Sequence, residues 1–120
     1  MQRFIAIAKA VADESRVRAL LAMRDGELCL CQVIDVLGLA PSTVSKHMDL
    51  LYQAGLVRRR KEGRWHYFRL SGTEAPVIVR QAVRWVLDSL REEPQVVGDT
   101  KKVCCIRRKD LKELSSCYSR

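Results

Sequence analysis

Residues 38–48 read Gly38-Leu39-Ala40-Pro41-Ser42-Thr43-Val44-Ser45-Lys46-His47-Met48, a glycine stop followed at once by a proline start. Glycine accepts the left-handed backbone that closes a helix, and proline at a first helical position gives up an N–H that has no partner there anyway. The stretch therefore predicts two helices joined by the short turn Gly38-Leu39-Ala40, which is a helix-turn-helix. Upstream, Glu27 to Leu37 supplies the helix before the turn, with Leu28, Val33, Val36 and Leu37 available to a core. Downstream, Val44, Met48 and Leu51 carry the second helix to Gly55.

Working outward, Phe4 to Val11 shows apolar residues at helical spacing, and Asp13 caps a further helix carrying Val17, Leu20, Leu21 and Met23. From Leu56 to Leu70 the period changes. Val57, Trp65, Tyr67 and Phe68 surround a Lys61-Glu62-Gly63-Arg64 turn, the pattern of a β-hairpin. Thr73 or Glu74 to Arg91 reads as a long helix with Val79, Val83, Val86 and Leu90 on one stripe and Ile78, Ala82 and Trp85 beside it. Pro94 breaks that helix, and residues 95–120 read as a polar basic tail with a short helix around Leu111 to Leu114. The expected fold is mainly α with a small β-hairpin, a winged helix-turn-helix. Residues 1–92 form its DNA-binding and dimerisation domain, and residues 93–120 a basic, cysteine-containing tail. The apolar stripes of the first and last helices have no evident partner in so small a core, which predicts a homodimer.

The 120 residues have the length of one domain, and 48% hydrophobic with 30% charged residues suits a packed core. No apolar run nears the roughly 20 residues of a membrane span, so a soluble cytoplasmic protein with no membrane partner is expected. The net charge of +8 is unevenly spread. Residues 1–56 carry six charges of each sign, whereas residues 57–70 carry six basic and one acidic. A neutral body with a basic hairpin points to a local polyanion contact, and beside a helix-turn-helix that polyanion is double-stranded DNA. A reading helix enters the major groove N-terminus first, which nominates Ser42, Thr43, Ser45, Lys46 and His47. Ser42 could equally be a capping residue. At the hairpin tip, Lys61 and Arg64 suit phosphate or minor-groove contact.

Five cysteines, an odd number without a secretion signal, speak for metal binding or redox sensing rather than a disulfide framework. Cys29 and Cys31 open the helix before the turn. In a regular helix, residues two apart point about 200° away from each other. One ion could bind both only if the first turn unwound, which would couple binding to the DNA-reading element. With no histidine nearby, thiolates alone favour trivalent arsenic or antimony, then cadmium or lead. Cys104, Cys105 and Cys117 could supply a third sulfur, bind an ion of their own, or do neither.

Glu27-Leu28-Cys29-Leu30-Cys31-Gln32-Val33, Ser42 through Met48, Leu51 through Val57 and Glu62 through Leu70 together resemble the ArsR/SmtB family of metalloregulatory repressors over roughly residues 3–92. The Glu-Leu-Cys-x-Cys element resembles its arsenic-responsive branch. The resemblance implies a transcriptional repressor, a homodimer on palindromic operator DNA that is released when As(III) or Sb(III), acting as inducer, binds Cys29 and Cys31. It implies no organic cofactor, and it places Ser42, Thr43, Ser45, Lys46 and His47 against DNA. Arsenic-responsive members often carry a third cysteine three residues after the second, where Ile34 stands here. The last helix offers Glu74, Asp88 and Glu92 but no histidine for the zinc site of other relatives.

An enzyme is not expected. A thiol-based arsenate reductase or phosphatase loop needs an arginine six residues after its cysteine, and Asp35, Leu37, Asp110 and Leu111 occupy those positions. The alternative is a repressor of the same fold that senses thiol oxidation, or cadmium or lead.

Overall fold

The computed structural model describes residues 1–109. Cys117 and the short helix expected around Leu111 to Leu114 lie outside the described residues. The chain runs α1 (Gln2–Ala10), α2 (Glu14–Ala22), β1 (Leu28–Cys29), α3 (Leu30–Leu37), α4 (Pro41–Gln53), β2 (Val57–Glu62), β3 (Trp65–Leu70), α5 (Val77–Leu90) and α6 (Pro94–Ile106). Asp13 caps α2 by accepting the Arg16 N–H at 3.1 Å. Gly38 closes α3 at φ 68°, and Pro41 opens α4 as expected. These two residues set the helix-turn-helix. Behind it, Leu20, Met23, Val33, Val36, Val44, Met48 and Leu51 interlock α2, α3 and α4 in a fully buried core.

The wing is a three-stranded antiparallel sheet in the order β1-β3-β2. The expected hairpin pairs Val57 with Leu70 through to Glu62 with Trp65. Gly63, at φ 60°, supplies the positive φ of its two-residue turn. The third strand was not expected. Leu28 pairs with Phe68 and Cys29 with Tyr67, so the segment read as the first turn of a helix is extended, and α3 starts only at Leu30. A strand of two residues is too short to show alternation, and the partner that makes it a strand lies about forty residues away in sequence.

The end of the chain also differs from expectation. Pro94 breaks α5 and at the same time opens α6 as its N1 residue. Val96, Asp99, Val103 and Ile106 lie on one face and bury against α2 and α3, where a polar tail was expected. Asp99 is salt-bridged to Arg18 at 2.8 Å, so its charge marks a buried face rather than a solvated one. α5 begins at Val77 because Pro76 occupies its N-cap. Its Val79, Val83 and Val86 stripe is spent within the chain. What remains exposed is Val77, Ile78 and Trp85 on α5 with Phe4 and Ile5 on α1. Among the described residues no helix is long and apolar enough to cross a membrane.

Candidate nucleic-acid interface and thiol site

α4 is held by its inner face. Val44, Met48 and Leu51 are buried, while Ser42, Thr43 and Lys46 are exposed and Ser45 is half-buried. The N-cap is Ala40, so the capping reading of Ser42 does not apply. His47 differs from its neighbours. Its ring turns toward the start of α2, where Nδ1 lies 3.2 Å from the Arg16 guanidinium and 4.0 Å from Asp13.

The basic charge of the wing is largely neutralised in place. Arg58 and Arg69 face Glu74 at 4.0 and 3.1 Å. Arg59 reaches Asp49 at 3.4 Å and lies over the Tyr52 ring. Arg60 donates to both Glu27 oxygens at 2.9 and 2.7 Å and to Glu62 at 2.8 Å, and it stacks on Tyr67. Among the described residues Lys61 and Arg64 form no ion pair, and Arg64 lies 4.9 Å over Trp65. Exposed pairs of this kind are weak enough to yield to phosphate, but the two tip cations need break nothing.

The thiol site sits at the strand–helix junction. Cys29 ends β1 with extended backbone (φ −71°, ψ 151°) and caps α3, in which Cys31 is the second residue. The 200° separation of a helical Cys-x-Cys therefore does not apply, and the sulfurs meet without unwinding. The Cys31 Sγ donates to Cys29 Sγ at 3.1 Å. Both are buried, 2% and 4% exposed. That hydrogen bond, helped by the N–H groups of Cys31, Gln32 and Leu30 and opposed by burial, lowers the Cys29 thiol to about 7. The same bond together with burial pushes Cys31 up. Of the two, Cys29 is the sulfur that ionises near neutrality, while Cys31 stays a thiol.

Gln32 accepts the Cys29 N–H at 2.8 Å, half of a capping box. A glutamine three residues after Cys29 was the sequence signal that α3 starts there, and it was missed. That Tyr67 lies opposite Cys29 and that Arg60 holds Glu27 was not legible in the sequence, because a strand pairing and a side-chain contact between distant segments create them. A thiophilic centre with two bonds of zinc–thiolate length, about 2.3 Å, at roughly right angles wants sulfurs about 3.3 Å apart. The observed spacing fits that. Cys104 and Cys105 are exposed on α6. Among the described residues no third cysteine, histidine or carboxylate completes a three-ligand cluster.

A helix-turn-helix whose second helix presents hydroxyl and basic residues, beside a wing whose tip cations form no ion pair among the described residues, defines a DNA-binding transcriptional regulator. Residues 13–59 match the family described as bacterial regulatory protein, arsR family. The arsenical resistance operon repressor of Escherichia coli strain K12 is 32% identical over 83% of this chain and 94% of that protein. The arsenic resistance transcriptional regulator ArsR1 of Pseudomonas putida KT2440 is 38% identical over 70% of this chain and 66% of its own length. Among solved structures, a homodimeric winged helix-turn-helix DNA-binding domain from Mycobacterium bovis superposes with a TM-score of 0.63 at 25% identity, covering 78% of this chain and 82% of that one. The chain belongs to the ArsR family of transcriptional regulators, which are not enzymes.

Proposed function

We propose that this chain is a homodimeric, cytoplasmic repressor that leaves its operator when As(III) or Sb(III) is held by Cys29 and Cys31. One observation carries this reading: two buried sulfurs 3.1 Å apart, one of them with its thiol lowered to about 7, at the junction of β1 and α3. β1 pairs with wing strand β3, and α3 runs into the turn before α4. A ligand bonded to both sulfurs replaces the S–H···S hydrogen bond and displaces the Cys31 proton. It thereby acts on wing and reading helix together. Residues 1–92 supply the DNA contacts Ser42, Thr43, Ser45, Lys46, His47, Lys61 and Arg64. They also supply the dimer face, formed from Phe4, Ile5, Val77, Ile78 and Trp85. Arsenic-resistance names among the relatives support the inducer class.

The test is fluorescence anisotropy of the reduced full-length protein on DNA from its own upstream region, titrated with arsenite, antimonite, cadmium and zinc. Release by arsenite or antimonite should persist in Cys104→Ser/Cys105→Ser/Cys117→Ser and vanish in Cys29→Ser and Cys31→Ser. Release lost only in the triple variant would move the site to the C-terminal cysteines. Release by cadmium alone, or by peroxide alone and reversed by reductant, would replace the metalloid with the alternative inducers.

A further inference from the structure

Arg16 uses all three guanidinium nitrogens at one junction. Nε donates to the Ala10 carbonyl at 2.8 Å and one terminal nitrogen to the Lys9 carbonyl at 3.0 Å, satisfying carbonyls at the end of α1. The other terminal nitrogen lies 3.2 Å from His47 Nδ1 on α4. Its backbone N–H is taken by the Asp13 cap. Three helices therefore meet on one side chain. An arginine has donors and no acceptor, and it keeps its charge throughout the accessible pH range. The Nδ1 atom facing it must therefore be the accepting nitrogen, and the ring proton of neutral His47 sits on Nε2. Among the described residues Nε2 makes no hydrogen bond, and the side chain is 17% exposed beside Lys46 and Thr43 on the reading helix.

We propose that Arg16, which need not touch DNA itself, is a positioning residue for operator reading. It holds His47 as the Nε2–H tautomer, with that donor free for a base acceptor or phosphate oxygen. It also fixes α4 to the end of α1, so that the reading helix keeps its place relative to α1. The proposal rests on α4 reading DNA and not on the identity of the inducer.

Two measurements on the reduced full-length protein test it. Long-range proton–nitrogen NMR of the imidazoles, with His66→Gln to separate the two rings, should show His47 protonated at Nε2 in the parent and a tautomer mixture in Arg16→Met. Operator affinity should fall roughly tenfold in Arg16→Met and in His47→Ala, with the double variant no weaker than His47→Ala by more than about twofold. Arg16→Lys should not rescue, since three N–H groups on a single nitrogen cannot span the acceptors that the guanidinium reaches from three separate nitrogens. It also carries the test should Arg16→Met fail to fold. Losses that add in the double variant, full rescue by lysine, or an Nδ1–H ring in the parent would overturn the proposal. The Nε2–H tautomer with no loss of affinity in either single variant would instead remove His47 from the DNA surface, and Arg16's role in reading with it.

Discussion

Replacing Cys31 with alanine removes the hydrogen bond that contributes most to lowering the Cys29 thiol to about 7. An ordinary cysteine at the reference value of 9.0 is about one per cent thiolate at pH 7, whereas Cys29 is about half ionised. In Cys31→Ala the remaining influences oppose each other, with backbone N–H groups favouring the thiolate and burial disfavouring it. The midpoint should therefore climb by more than a unit, toward the ordinary value. The assay is thiolate ultraviolet absorbance against pH in a background lacking Cys104, Cys105 and Cys117, with and without Cys31→Ala. The linked stability has a definite sign. A folded value below the unfolded one gives a contribution that is complete above the unfolded value and lost as pH falls through about 7. Two units correspond to about 2–3 kcal/mol at most. Cys31, raised by the same bond, works the other way and erodes stability as pH climbs above its unfolded value. Urea stability of the parent should therefore rise from about pH 7 toward 9 and turn down beyond it, and the rise should shrink in Cys31→Ala. An unchanged Cys29 midpoint in that variant would refute the assignment of the S–H···S bond as the cause.

Other consequences can be checked alongside. Asp99→Ala leaves the part-buried Arg18 guanidinium with only the Val36 carbonyl, and should cost about 1–3 kcal/mol in urea unfolding; no measurable cost would mean that α6 is not docked. Ile106→Ala should cost about 2–4 kcal/mol by the same measurement, because the side chain is fully buried between α6 and the body. In a dimer that sets both wings on the operator, Lys61→Gln with Arg64→Gln removes four tip cations and should flatten the salt dependence of operator binding by a slope of about 3.6. Arg58→Gln with Arg69→Gln, whose charges already face Glu74, should change it less. Equal slopes for the two pairs would move the phosphate contacts off the tip.

The helix-turn-helix was legible because its punctuation is local. Gly38 and Pro41 act through their own backbones, and no distant residue can change what they permit. The wing hairpin was legible for the same reason at Gly63. The two misreadings came from long-range partners. Leu28 and Cys29 look helical by spacing and are extended because β3 offers them hydrogen bonds. Val96, Val103 and Ile106 look sparse in a basic tail, yet at spacings of seven and three they share one face, and Arg18 gives Asp99 a reason to be inside. Ion pairing was invisible as well. Counting charges along residues 57–70 overstates the free cation of the wing, because Glu27, Asp49 and Glu74 arrive from other elements.

The placement of the thiols at a junction resolves a chemical difficulty. Inside a helix, a Cys-x-Cys pair diverges and could share a ligand only at the cost of several backbone hydrogen bonds. With the first cysteine extended and the second in the opening turn of α3, the sulfurs converge at no such cost. The unpaired N–H groups of that turn also stabilise a thiolate on the first. The price is rigidity of position: Cys29 must stay paired to Tyr67, and Gln32 must stay on the Cys29 N–H. Those two attachments run to the wing and to the helix before the reading helix. The geometry that brings two sulfurs together is thus inseparable from the geometry that presents Lys61, Arg64 and α4. Under the proposed function, a change in the bond between the sulfurs acts on the wing and on α4 without a separate relay. Gln32→Ala tests that argument: it keeps both thiols but loosens the start of α3. It should leave arsenite binding by the pair within a few-fold of the parent while reducing the release of operator per metalloid bound. Unaltered release would show that coupling runs through β1 alone.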